Sequence, residues 1–83
     1  MVGGTQRERQ QLQELLRQLR KDAGLRQIDL AVRLNKPQSY VSKYESGEKS
    51  LDLLESKEVC LALNITLFDF VYRMEKVLNE GKS

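Results

Sequence analysis

The 83-residue sequence has no histidine and a single cysteine, Cys60, and no apolar run long enough to span a bilayer. Without histidine or a second cysteine the common metal-ligand sets cannot be assembled, and no cluster of Asp and Glu replaces them. Nucleophilic catalysis lacks its usual base as well. An enzyme is therefore not expected, nor is a metal or other cofactor. A lone cysteine forms no internal disulfide, and the apolar neighbours of Cys60 make it core filler rather than a redox centre. Repeats, linker-like stretches and strand-period segments are also missing. The opening MVGGTQRERQ is too polar for a secretory signal, so the expectation is a cytoplasmic location and no membrane partner.

What is present suits a small folded chain. Apolar residues at 40% and charged residues at 31% fit a helical domain better than a disordered segment. The length allows one domain, residues 1–83, with one small core. A net charge of +2 says little about partners, but its distribution says more. Residues 1–50 carry ten Lys/Arg against six Asp/Glu, a balance of +4, and residues 51–83 carry four against six, a balance of −2. The basic half is the one that would face phosphates, although an ordinary solvated surface could look the same.

That half holds the most organised stretch, QIDLAVRLNKPQSYVSKYES, residues 27–46. Leu30, Ala31 and Leu34 share one helical face, and Val41 and Tyr44 repeat the spacing after a break. The break is Asn35-Lys36-Pro37: Asn tolerates the left-handed conformation that ends a helix, and Pro is pre-set for a first helical turn. Two short helices with apolar inner sides and a tight turn between them read as a helix-turn-helix, over about 27–34 and 38–45.

These residues resemble the phage-repressor family of helix-turn-helix proteins, the lambda- and Cro-like regulators of the xenobiotic-response-element type. The match lies in Gln27, Leu30, Ala31, Leu34, Val41 and the Glu45-Ser46-Gly47 exit, and extends more weakly from about Leu12 to about Leu78. It implies an all-α fold, a five-helix lambda-repressor-like DNA-binding domain. Three positions depart from the family pattern. Arg26 stands where a Ser or Thr cap is usual, Asn35 replaces the turn glycine, and Lys36 replaces an apolar turn residue. All three bear on the capping of helix 2 and the rigidity of the turn.

The flanks complete the five helices. Met1–Gly4 reads as a frayed terminus, and Thr5 with Glu8 forms a capping box for helix 1, about 6–23, which carries Leu12, Leu15, Leu16, Leu19 and Ala23 on one face and stops at Gly24. Its first turns are polar and are expected to project into solvent. Ser50 or Asp52 caps helix 4, about 52–63, whose apolar pattern is broken at Ser56-Lys57. Asn64 is a left-handed stop, and Thr66 caps helix 5, about 67–79. Leu67, Phe68, Val71, Met74 and Leu78 form its stripe, which Phe70 and Val77 widen beyond what a small domain easily covers. Phe70, Met74, Val77 and Leu78 are therefore expected at a homodimer interface, which would set two recognition helices about 34 Å apart on a palindromic site. Complete burial of helix 5 is the alternative.

The outward residues of helix 3 carry the chemistry. Gln38 is the foremost base-reading candidate, because Gln bonds adenine N6 and N7 together and because its position matches one the family uses. Ser39, Ser42 and Lys43 join it, with Lys43 placed equally well for a guanine edge or a phosphate. Tyr40 is expected at a phosphate, sugar or thymine methyl, with core packing the alternative. Gln27 at a helix start, Arg26 and Lys49 are expected at the DNA backbone. The resemblance further implies a buried pair between Arg20 and Glu45. The function expected is sequence-specific double-stranded-DNA binding by a dimeric regulator, with a protein-interaction module such as an antitoxin as the alternative.

Overall fold

The computed structural model describes residues 4–80, which form five helices and, among those residues, no strand: α1 (Gln6–Asp22), α2 (Gln27–Leu34), α3 (Gln38–Ser46), α4 (Leu53–Ala62) and α5 (Leu67–Glu80). Of the terminus read as frayed, residues 1–3 lie outside the described residues. The helices begin as their sequences dictate. Thr5 Oγ1 accepts from the Glu8 N–H at 3.0 Å while the Glu8 carboxylate accepts from the Thr5 N–H at 3.0 Å. Asp52, rather than Ser50, caps α4 through the same reciprocal arrangement with Glu55. Thr66 accepts from the Asp69 N–H at 2.9 Å at the head of α5. Each bond satisfies a backbone donor that a helix start leaves open.

Three helices end alike. At Gly24, Asn35 and Asn64 φ is +75°, +56° and +66°. In each case the next residue's N–H reaches back five residues, from Leu25 to Arg20, Lys36 to Ala31 and Ile65 to Cys60, at 3.0–3.2 Å. This pairing closes the carbonyls a helix end leaves open and reverses the chain. Asn35 therefore does the work of the family's turn glycine.

Every helix contributes to one core: Leu16 and Leu19 from α1, Leu30 and Ala31 from α2, Val41 and Tyr44 from α3, Val59 and Cys60 from α4 with Leu63 after it, and Phe70 from α5. Helix α3 lies between α1 and α2, α4 packs on α2 and α5, and α5 returns to α1. Burial pushes the Cys60 thiol up, so the sulfur stays protonated as a small apolar filler. No helix of the described residues is long and apolar enough to cross a membrane.

Phe70 corrects the expected assembly surface. It is 5% exposed and belongs to the core, whereas Phe68 is 82% exposed and Tyr72 57%. Helix α5 is rotated so that Phe70 points inward, Met74, Val77 and Leu78 lie half-buried, and Phe68 and Tyr72, one turn apart, face water. Phe70→Ala should accordingly cost about 3–5 kcal/mol in chemical denaturation, and Phe68→Ala no more than about 0.5 kcal/mol in the monomer. A larger loss from Phe68→Ala than from Phe70→Ala would show that α5 packs the other way round.

Candidate nucleic-acid interface

The outer face of α3 follows from what its inner face must bury. Val41, Tyr44 and Glu45 are buried, which turns Gln38, Ser39 and Lys43 out to solvent and leaves Ser42 half-buried beside them. Pairs 38/42 and 39/43 are four apart, so these side chains stack along one side of the helix. The four residues expected at base edges are thus brought together.

The exit of α3 is fixed by charge. Glu45 is 1% exposed and Arg20 8%. Arg20 donates from Nε to Glu45 Oε2 at 2.7 Å and from Nη2 to Oε1 at 3.0 Å, and its Nη1 donates to the Leu25 carbonyl at 2.9 Å. Arg17 adds a bond from Nη2 to the Glu45 carbonyl at 3.1 Å. Helix α1 therefore grips both the side chain and the main chain of Glu45. The pair with Glu45 holds the Arg20 guanidinium even more firmly protonated than usual. Glu45 Oε1 also accepts from Gln27 Nε2 at 3.1 Å, and Gln27 Oε1 in turn accepts from Gln38 Nε2 at 3.5 Å. A chain of contacts thus runs from the core to the first residue of α3.

Of the residues expected at the DNA backbone, Arg26 is the most open, with its side chain 78% exposed. It is also tied to the helix it starts. The Asp29 carboxylate accepts from the Arg26 N–H at 2.8 Å and from the guanidinium Nε and Nη2 at 2.9 Å each. Asp29 thus supplies half of the cap that a Ser or Thr at position 26 would share. Arg26 keeps further N–H groups for a phosphate. Gln27 is half-buried and its amide is engaged as described.

Tyr40 is half-buried, packed edge-on against Tyr44 with ring centroids 5.7 Å apart. Two ammonium groups flank its ring, Lys36 at 5.3 Å and Lys49 at 5.5 Å from the centroid. Lys49 also pairs with Glu55 at 3.0 Å. Burial and the acidic residues Glu55, Glu58 and Asp52 on the α4 side push the Tyr40 hydroxyl up. Tyr40 therefore gathers two cations at the edge of α3. Lys36 and Arg17 had no assigned role from the sequence. The i, i+4 spacing of Lys36, Tyr40 and Tyr44 is the signal that could have found the first.

The comparisons with known proteins meet this geometry. Residues 16–70, well over half of the chain, match the helix-turn-helix family model. The chain belongs to this family. It is similar to an XRE-family-like protein from Pseudomonas syringae pv. tomato str. DC3000, with 36% identity, a TM-score of 0.76, and 83% of this chain and 84% of that one covered. It is also similar to the clp gene regulator ClgR from Corynebacterium glutamicum, with 25% identity, a TM-score of 0.74, and 89% and 80% covered. No curated protein matches. The chain is a DNA-binding helix-turn-helix regulator of the XRE type.

Two predictions follow the electrostatics of this helix-turn-helix unit. Glu45→Ala strands a guanidinium that is almost wholly buried, and breaking such pairs costs about 3–5 kcal/mol; a melting temperature lowered by only a degree or two would contradict it. The Asp29 carboxyl is held down at about 2 by the hydrogen bonds from the Arg26 guanidinium and N–H. A carboxyl lowered in the folded state stabilises above its unfolded value of about 4, and that stability is lost as pH falls toward 2. Asp29→Asn should therefore flatten the pH dependence of the melting temperature between about pH 4 and 2, and an unchanged slope would show that the pair does not hold.

Proposed function

We propose that the chain is a sequence-specific regulator of transcription, a repressor acting as a homodimer on a palindromic site in double-stranded DNA. The observation that carries this reading is the exposed side of α3, with Gln38, Ser39 and Lys43 outward, Ser42 beside them, and Arg26, Lys36 and Lys49 around the edge. Laid in the major groove, the first four meet base edges, with Gln38 matched to adenine. Arg26, the remaining N–H of Gln27, and Lys49 beside Tyr40 lie against phosphates and set the register. A dimer bound across its site represses by occluding it.

Dimerisation is supported by apolar surface in water on α5. Phe68 and Tyr72 on α5 are wet, with Val71, Met74, Val77 and Leu78 half-buried on the same helix. A groove of about 640 Å³ opens between the start of α1, the α3–α4 loop and α5, with Leu12, Leu53, Leu67 and Met74 among its walls. Apolar area of this kind favours a protein partner, and a second copy is the simplest closed solution.

Selection of bound sites from random DNA tests both halves. The wild type should return a two-fold symmetric sequence, and Gln38→Ala should lose about 1–3 kcal/mol on it and blur one position in each half. Arg26→Ala should weaken all sequences alike and reduce the salt dependence. Phe68→Glu should sediment as a monomer and select a single half-site. A wild type that selects no DNA but captures an unrelated protein would favour the antitoxin-like reading instead.

A further inference from the structure

Glu55 uses its two oxygens for two separate tasks. Oε1 accepts from the Asp52 N–H at 2.9 Å and closes the capping box of α4, while Oε2 pairs with the Lys49 ammonium at 3.0 Å. The Asp52 N–H first, and Lys49 after it, hold the Glu55 carboxyl below the usual carboxylate range, so it is ionised at neutral pH. Only the first task belongs to the fold. Gln at this position closes a capping box as well as Glu does. Water reaches both partners of the ion pair, 33% and 29% exposed, and a pair of that kind adds little to stability. The charge on Glu55 is therefore not needed for the cap, and its nearest target is Lys49.

Lys49 stands at the rim of α3, its ammonium 5.5 Å from the centre of the Tyr40 ring. In the free protein that cation is already neutralised. A phosphate that reaches it must either draw it away from Glu55 or settle beside a second anion, and both cost affinity. Arg26 differs. Its guanidinium pairs with Asp29 through Nε and Nη2 and keeps Nη1 for a phosphate, whereas an ammonium is a single point charge. We infer that Glu55 is a built-in counter-ion for DNA binding. It occupies Lys49 until a phosphate displaces it, and so sets the overall affinity without altering the sequence that is read. The inference rests on Lys49 meeting a phosphate, as proposed above.

The test is a double-mutant cycle of Glu55→Gln and Lys49→Ala, read as affinity for the selected site and for random duplex DNA at several salt concentrations. Thermal melts establish that each variant is folded. Glu55→Gln keeps an oxygen for the cap and loses the charge. It should bind both DNAs roughly two- to fivefold more tightly at low salt, with the ratio between them unchanged. The gain should fade as salt rises, because salt screens the pair itself. Glu55→Ala, which leaves the Asp52 half of the cap in place, should act alike and stands in if the glutamine variant does not fold. In the Lys49→Ala background no pair is left to break, and Glu55→Gln should gain less than about half as much. Equal gains in both backgrounds would overturn the exchange and leave only long-range repulsion between Glu55 and DNA. Unchanged binding by Glu55→Gln, with Lys49→Ala weakening all sequences, would overturn it while the phosphate contact stands. If Lys49→Ala weakens nothing, the phosphate contact is what has failed, and the exchange falls with it.

Discussion

A carboxylate buried to 1% exposure cannot be left without partners, and the partners of Glu45 define the geometry of the whole reading unit. Arg20 comes from α1, Gln27 from the head of α2, and Arg17 reaches the Glu45 carbonyl from one turn earlier in α1. Arg20 at the same time closes the Leu25 carbonyl between α1 and α2. Three segments are thereby referred to one point on α3. Such a pair contributes little net stability compared with an apolar substitute, because desolvation offsets most of the attraction. What it adds is uniqueness: Val41 and Tyr44 would tolerate some rotation of α3 against the core, but a bidentate ion pair would not.

The turn and the rim show the same substitution of one device for another. Where the family places a capping hydroxyl, Arg26 offers no acceptor, and the cap is held by its other half alone: Asp29 accepts from the Arg26 N–H, and the exposed guanidinium closes the pair. Where a glycine is usual, Asn35 adopts φ +56°, a conformation its short polar side chain tolerates better than most. Lys36, in an apolar position of the family pattern, is used over the Tyr40 ring. Each departure keeps the backbone path, and two of them, Arg26 and Lys36, add charge beside the turn. The local rules were satisfied by different residues, so the fold persists although the pattern is broken.

This explains what could be read from the sequence and what could not. Helix limits to within a residue or so, the capping box at Thr5 and the left-handed stops at Asn35 and Asn64 are local chemistry, visible within four or five residues. The cap of α4 stayed open between Ser50 and Asp52 until the structure showed the Asp52–Glu55 box. The Arg20–Glu45 pair, 25 residues apart, came from the resemblance; periodicity would have left a glutamate on a buried face unexplained. Phe70 was assigned to the surface because α5 is apolar around more than half its circumference. Only the positions of α1 and α4 decide whether Phe68 or Phe70 turns inward. Helix α4 carried no usable stripe either, since Leu53, Leu54 and Leu61 are wet while Val59 and Cys60 are buried. The Gln27–Gln38 contact was out of reach for a similar reason: it depends on how two helix starts converge across the turn.

A nine-residue helix such as α3 is marginal on its own in water. It exists because its inner side is held by the core and its exit by α1, and neither support uses Ser39, Ser42 or Lys43. Those three positions can therefore be substituted at little cost to the fold. Gln38 differs from them. Its amide is the end of a chain of contacts that begins at the buried carboxylate, so its orientation is set by the same group that fixes the helix. Its side chain is tied to the framework, and theirs are not. At Gln38 the side chain that replaces it must also answer to Gln27.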